Sequence, residues 1–208
     1  MGITIECRPN GPYLVKGLVG LTNSRGESVA TEGVFALCRC GHSANKPFCD
    51  GTHKTVGFSG ARVSDGSNDK LKSYSAPGIT IYDNRSICAH AGYCSDGLAA
   101  VFREEGTPWI DPHGGSVQAI VETIRKCPSG ALRCTVDGLE SPVDARAAKI
   151  TITKDGPYAI VGSVELLEAR WAEGASQEHY TLCRCGASKN KPFCDGAHWS
   201  IGFHDDKN

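Results

Sequence analysis

Cys38, Cys40, Cys49 and His53 lie in the segment CRCGHSANKPFCDGTH. Cys183, Cys185, Cys194 and His198 lie in CRCGASKNKPFCDGAH. Thirteen of the sixteen aligned positions are identical. Three soft thiolates and one imidazole at fixed spacing, present twice, point to a metal or cluster site. Cys38 and Cys40 are separated by one residue, so a tight turn lets both reach one metal. Cys49 and His53 are four apart, which puts both on one face of a helical turn, where they can hold a second. Two irons bridged by sulfide need four protein ligands in two pairs, and this spacing supplies them. A single tetrahedral zinc takes the same donor types, although its cysteines usually stand two to four residues apart.

A third group is unrelated to the repeat. Cys88 and Cys94 are followed at a distance by Cys127-Pro128. Bacterial ferredoxins use two closely spaced intervals of two residues and a distant Cys-Pro. Here the middle ligand position is Ala91. Three thiolates remain, which suits a cubane short of one iron, [3Fe-4S]. His90 lies one residue from the expected ligand position. It is a candidate fourth ligand or a hydrogen-bonding neighbour. Cys134 reads as a buried free thiol in a strand. Cys7 aligns with Ile152 and reads as core. His42 aligns with Ala187 and reads as exposed; His113, His179 and His204 have no motif around them, and Trp109 reads as core of the central unit.

The imidazole ligand is the functional lever. It is a weaker, neutral donor than thiolate and raises the reduction potential relative to an all-cysteine centre. It can also exchange a proton near neutral pH. Electron transfer and cluster donation both follow. Around the ligands, Asp50 and Asp195 are expected to accept from backbone N–H groups and hold the ligand turn. Lys46 and Lys191 are either tuning charges or solvated surface groups.

The elements that must position these groups repeat too. Gly11-Pro12-Tyr13 matches Gly156-Pro157-Tyr158, and Gly57-Phe58 matches Gly202-Phe203, all at an offset of 145 residues. Ile3, Ile5 and Cys7 alternate, as do Ile150 and Ile152. The runs Tyr13 to Val19 and Tyr158 to Val164 each read as one strand. Phe35 to Leu37 and Tyr180 to Leu182 are expected to be strands delivering the first cysteine pair. One short helical turn is expected after each Asp-Gly. In the central unit, Ile79 opens a strand. Val117, Ile120, Val121 and Ile124 recur at helical spacing behind Ser116 as N-cap. The expected organisation is an outer unit over 1–60, a polar linker over 61–76, a central unit over 77–136, a connector over 137–147 and a second outer unit over 148–208. A twofold pairing of the outer units within the chain is the natural arrangement.

The outer units resemble the CDGSH iron–sulfur, or NEET, family. Ser43, Pro47, Asp50 and Gly51 match its pattern in one copy, and Ser188, Pro192, Asp195 and Gly196 in the other. Thr52 and Ala197 replace the serine of the family name. The resemblance implies a [2Fe-2S] cluster on three cysteines and one histidine in each copy. Gly97 to Phe102, Pro108-Trp-Ile and Cys127 to Leu132 look like the divergent single-cluster ferredoxin family, over about residues 72–136. Members of that family are often [4Fe-4S] proteins, so [4Fe-4S] stands as the alternative to [3Fe-4S].

The chain has 208 residues, 40% hydrophobic, with 25 glycines, 10 prolines and 11 cysteines. This suits an α+β, β-rich protein of small units with many turns. Three separate cores would each be thin, and metal centres commonly compensate for that. A formal net charge of −1 offers nothing to nucleic acid or to an anionic membrane. No basic region leads into an apolar run at the N-terminus, and no apolar stretch reaches membrane-spanning length. An odd cysteine count, with nine in three groups of three, favours a reducing cytoplasmic compartment over disulfides. No nucleotide fingerprint or nucleophile–base pair is present, so an enzyme is not expected. The expectation is a monomeric one-electron carrier serving redox partner proteins. The alternatives are a cluster donor to apo iron–sulfur acceptors and a structural zinc protein.

Overall fold

The computed structural model describes residues 2–17, 19–141, 146–162 and 164–208. Leu18 and Ser163, inside two of the expected strands, and residues 142–145 of the second connector lie outside the described residues. The first outer unit supplies β1 (Ile3–Cys7), β2 (Tyr13–Lys16), β3 (Gly20–Thr22) and β4 (Val34–Leu37). The central unit supplies β5 (Lys72–Ala76), β6 (Ile79–Asp83), β7 (Leu132–Val136) and β8 (Leu139–Glu140), with helices α1 (Tyr93–Gly97) and α2 (Val117–Ile124). The last unit supplies β9 (Lys149–Ile152), β10 (Tyr158–Val161), β11 (Val164–Leu166), β12 (His179–Leu182) and α3 (Ala197–Ser200). The fold is α+β and strand-rich.

The expected strands stop early, at Lys16 and Val161. Gly17 and Gly162 take φ of +102° and +79°, a left-handed conformation that glycine adopts without a side-chain clash. A further strand then follows in each copy, starting at Gly20 and Val164, and pairs with the other copy. β3 pairs in parallel with β9, and β11 in parallel with β1. The resulting sheets run β11-β1-β2-β4 and β12-β10-β9-β3. Each copy therefore lends one strand to the other.

This exchange also changes the expected cores. Ile5, Tyr13, Val15 and Leu37 pack in one buried cluster with Ile150, Ile152, Tyr158 and Ile160. Among the described residues, the two outer units share a single core instead of holding a thin one each. Tyr13 and Tyr158 meet edge to face at its centre, centroids 6.2 Å apart.

The central unit has its own core of Ile79, Ile81, Phe102, Ile110, Ile120 and Ile124. Ser116 Oγ accepts from the Ala119 amide and caps α2 as its sequence predicts. The segment expected as a linker over 61–76 ends in β5, which pairs with β6. β8 likewise falls within the expected second connector and pairs with β7. Lys72, Ser73 and Ser75 hide the strand character of β5, because most of that strand faces solvent. Among the described residues, no helix is long and apolar enough to cross a membrane.

Candidate metal and cluster sites

In each outer unit the ligand loop closes against the end of the strand that leads into it. The Cys38 amide donates to Pro47 O at 2.8 Å, and the Cys49 amide to Ala36 O at 2.9 Å. Cys183 and Cys194 repeat this with Pro192 O and Thr181 O. The third cysteine of each motif is thereby pinned beside the first. Ser43 Oγ donates to Phe48 O at 2.6 Å and accepts from the Asn45 amide; Ser188 does the same with Phe193 O and the Asn190 amide.

The predicted carboxylate role is visible at both sites. Asp50 accepts from the Ala44 and Thr52 amides, and Asp195 from the Lys189 and Ala197 amides. Hydrogen bonds from Thr52 and Ala44 hold the Asp50 carboxyl well below the usual range. Lys46 Nζ donates to Ser43 O and Lys191 Nζ to Ser188 O. Lys191 is buried, so its part is to tie the loop as well as to carry charge. The helical turn expected after each Asp-Gly forms as α3 in the second copy. In the first, residues 52–57 make successive turns without a regular helix.

The ligands gather as pairs. Cys38 Sγ and Cys40 Sγ are 3.7 Å apart, and Cys183 Sγ and Cys185 Sγ 3.8 Å. Cys49 Sγ lies 3.4 Å from His53 Nδ1, and Cys194 Sγ 3.5 Å from His198 Nδ1. Two thiolates on one tetrahedral metal stand about 3.8 Å apart, and a thiolate and an imidazole about 3.5 Å, from metal–ligand bonds of about 2.3 and 2.05 Å. The residues present therefore fit two metal positions per site. Among the described residues, no three such groups crowd a single point. In the second copy, the shared hydrogen bond pushes the Cys183 thiol up and holds Cys185 down. Burial pushes Cys194 up and His198 down. Neutral His198 is the form that binds metal, whereas the thiols must surrender protons to it.

Cys88, Cys94 and Cys127 line one cavity of about 890 Å³. Burial pushes the Cys88 thiol up to about 11. Arg85 and Trp109 form part of the wall, with the guanidinium 4.6 Å from the indole centroid. Trp109 thus packs on Phe102 of the central core and faces the cavity as well. The His90 ring lies against Gly196, on the side of the second outer unit. Its backbone amide donates to Cys88 Sγ at 3.4 Å. Cys134 is a buried strand residue, and Cys7 sits at the edge of the shared core.

Several functional residues carry no ligand signature. Tyr13 Oη donates to Cys183 O and Pro192 O, while Tyr158 Oη donates to Cys38 O and Pro47 O. Each tyrosine braces the other copy's ligand loop. Gly41 and Gly186 let those loops touch: a Cβ on either would come within 2.5 Å of Cys185 O or Cys40 O. The recurrence of Gly-Pro-Tyr was the available signal for the tyrosines, though not for their crossing.

Residues 10–54 and 155–199 match the family described as iron-binding zinc finger CDGSH type, and residues 74–137 the family described as divergent 4Fe-4S mono-cluster. The chain belongs to the CDGSH family. Its two CDGSH domains flank a divergent iron–sulfur domain, and it is an iron–sulfur-binding protein. The uncharacterized protein YjdI of Escherichia coli K12 is 39% identical over 62 residues, 30% of this chain and 82% of YjdI. YjdI of Escherichia coli O157:H7 matches to the same extent.

Proposed function

We propose that this CDGSH protein is a one-electron carrier with three iron–sulfur centres. Cys38, Cys40, Cys49 and His53 hold one [2Fe-2S] cluster, and Cys183, Cys185, Cys194 and His198 hold another. Cys88, Cys94 and Cys127 hold a [3Fe-4S] cluster, with [4Fe-4S] as the alternative. Such clusters, when bound, supply reversible uptake of single electrons. The observation that carries the reading is the arrangement of ligands as two pairs at metal-sharing distance. A dinuclear core needs that arrangement; one zinc ion needs all four groups on one point.

The chain's own residues set the conditions. Cys38 and Cys183 are withdrawn from solvent, which limits hydrolysis of a bound cluster. Asp50 and Asp195 fix the turn that presents each histidine. Nδ1 faces the paired thiol at both sites; at the first, where His53 is only partly buried, Nε2 is left to meet protons or a partner. Three thiolates in the central cavity support the three-iron form, because His90 packs on Gly196. All eleven cysteines are free, which supports a reducing, cytoplasmic setting. No catalytic role is assigned.

A second reading, cluster donation to apo-proteins, is favoured by one observation: Cys49 and His53 are only partly buried. Metal and labile-sulfide analysis of anaerobically purified protein, with EPR as isolated and after reduction, tests the assignment. A red-brown sample, an oxidised three-iron signal and reversible reduction are expected. Stoichiometric zinc without sulfide would refute it. Transfer to apo-ferredoxin faster than spontaneous decay would move the function to donation.

A further inference from the structure

The two CDGSH sites have the same ligands and different surroundings. At the first, nothing among the described residues lies within 4 Å of the point where Gly51 would carry a Cβ. At the second, the same point on Gly196 falls 2.4 Å from His90 Cδ2. His198 is 5% exposed and Cys194 2%, whereas His53 and Cys49 are partly exposed. Trp199 Nε1 donates to His90 O at 3.1 Å, and Asn190 Nδ2 to Ser86 O at 2.8 Å. The Val63 and Ser64 amides both donate to Lys189 O. At the first site the counterparts of Trp199 and Lys189 are Lys54 and Ala44.

The 88–94 loop is thus docked on one ligand turn alone. Gly196 and Trp199 line the same cavity as the central thiols.

We propose that the central domain makes the two CDGSH sites inequivalent: His90 and Trp199 cover the second site and couple it to the central thiolates, leaving the first as the port open to partners. The proposal rests on the cluster assignment above. His90 is a positioning residue, since it acts through the ligand turn it covers. Negative charge gathered at Cys88, Cys94 and Cys127 faces the second site's ligand turn across one cavity, whose lining includes Asp195, Gly196 and Ala197 and none of Cys38, Cys40, Cys49 or His53, so it acts more strongly on the second site than on the first.

The holoprotein tests this directly. His53→Cys or His198→Cys changes the EPR signature of its own site, so the two can be followed apart. Cys94→Ser, which removes a central ligand, should raise the reduction potential of the second site and leave the first unchanged. Iron loss to a hydrophilic chelator should be slower from the second site than from the first. His90→Asn keeps a residue type that tolerates the left-handed backbone here (φ +52°). Trp199→Lys copies the first site. Both should speed iron loss from the second site severalfold and leave the first unchanged. Equal wild-type loss rates, or equal potential shifts at both sites, would overturn the proposal. If Cys94→Ser protein does not accumulate, His90→Asn decides, and an unchanged loss rate overturns the proposal. Protein lacking labile sulfide would instead overturn the cluster reading, while relative metal-loss rates would still decide the inequivalence.

Discussion

Asp83 offers a quantitative test of how the central site is held. It ends β6 at 1% exposure. Its Oδ2 accepts from Trp109 Nε1 at 3.1 Å, and its buried Oδ1 has no partner among the described residues. Burial pushes the carboxyl up from 3.8 to about 6, against the opposing pull of Arg85 and the Trp109 hydrogen bond. A native pKa above the unfolded one means that the folded state holds the proton more tightly. Stability is therefore greatest below the unfolded value and is lost as pH rises through about 6. A rise of about 2 units corresponds to about 3 kcal/mol at pH values above 7. Asp83→Asn keeps an acceptor for Trp109 and cannot ionise. It should stabilise the domain by up to about 3 kcal/mol at about pH 8, and by roughly half of that at about pH 5. Asp83→Ala leaves the indole N–H without an acceptor and should fall below Asp83→Asn by about 1–3 kcal/mol. Hydrogen exchange of the paired strands β6 and β7, measured across pH, reads both effects. No gain at about pH 8, or a gain that does not shrink toward acid, would refute the reasoning.

Two further changes probe the outer units. Arg184 and Asp205 form an ion pair with side chains 0% and 1% exposed, so Asp205→Ala strands a buried charge and should cost about 3–5 kcal/mol; thermal bleaching of the second site's absorbance checks this, and a loss below about 1 kcal/mol would contradict the pairing. Tyr13→Phe should loosen the second site and Tyr158→Phe the first, each by about 1–2 kcal/mol; iron-loss rates at each site check the crossing, and an effect confined to the mutated copy would refute it.

The candidate ligands stand out in the sequence because metal binding admits few residue types and fixed intervals. Ser116 and the apolar stripe of α2 were legible because capping and amphipathicity are local. The strand exchange was not. Tyr13 to Val19 reads as one strand, but the strand ends at Lys16, the chain is left-handed at Gly17, and the next strand, from Gly20, pairs with the other copy. Nothing in a strand's own sequence names the partner across which its hydrogen bonds close. The exposed strand β5 was hidden for a different reason: its side chains are those of a loop, and its pairing with β6 is carried by the backbone.

The asymmetry between sites was harder still to read, because the eye compares what is identical. The two ligand motifs share their metal-binding residues, whereas the differences that matter fall at Trp199 against Lys54, Lys189 against Ala44 and Asp205 against Gly60. A pseudo-twofold frame offers two equal seats, but a single inserted domain can occupy only one. Docking therefore selects for change in one copy and leaves the other free to keep an open face. Arg39 shows the consequence on the free side. It occupies the place of Arg184 but has a carbonyl, Gly60 O, where Arg184 has a carboxylate, and its buried Nε has no partner among the described residues. The first loop is thus held by weaker neutral contacts than the second. A site that must admit a partner and a site that must stay closed need this difference in anchoring, and duplication followed by insertion supplies it without altering a single ligand.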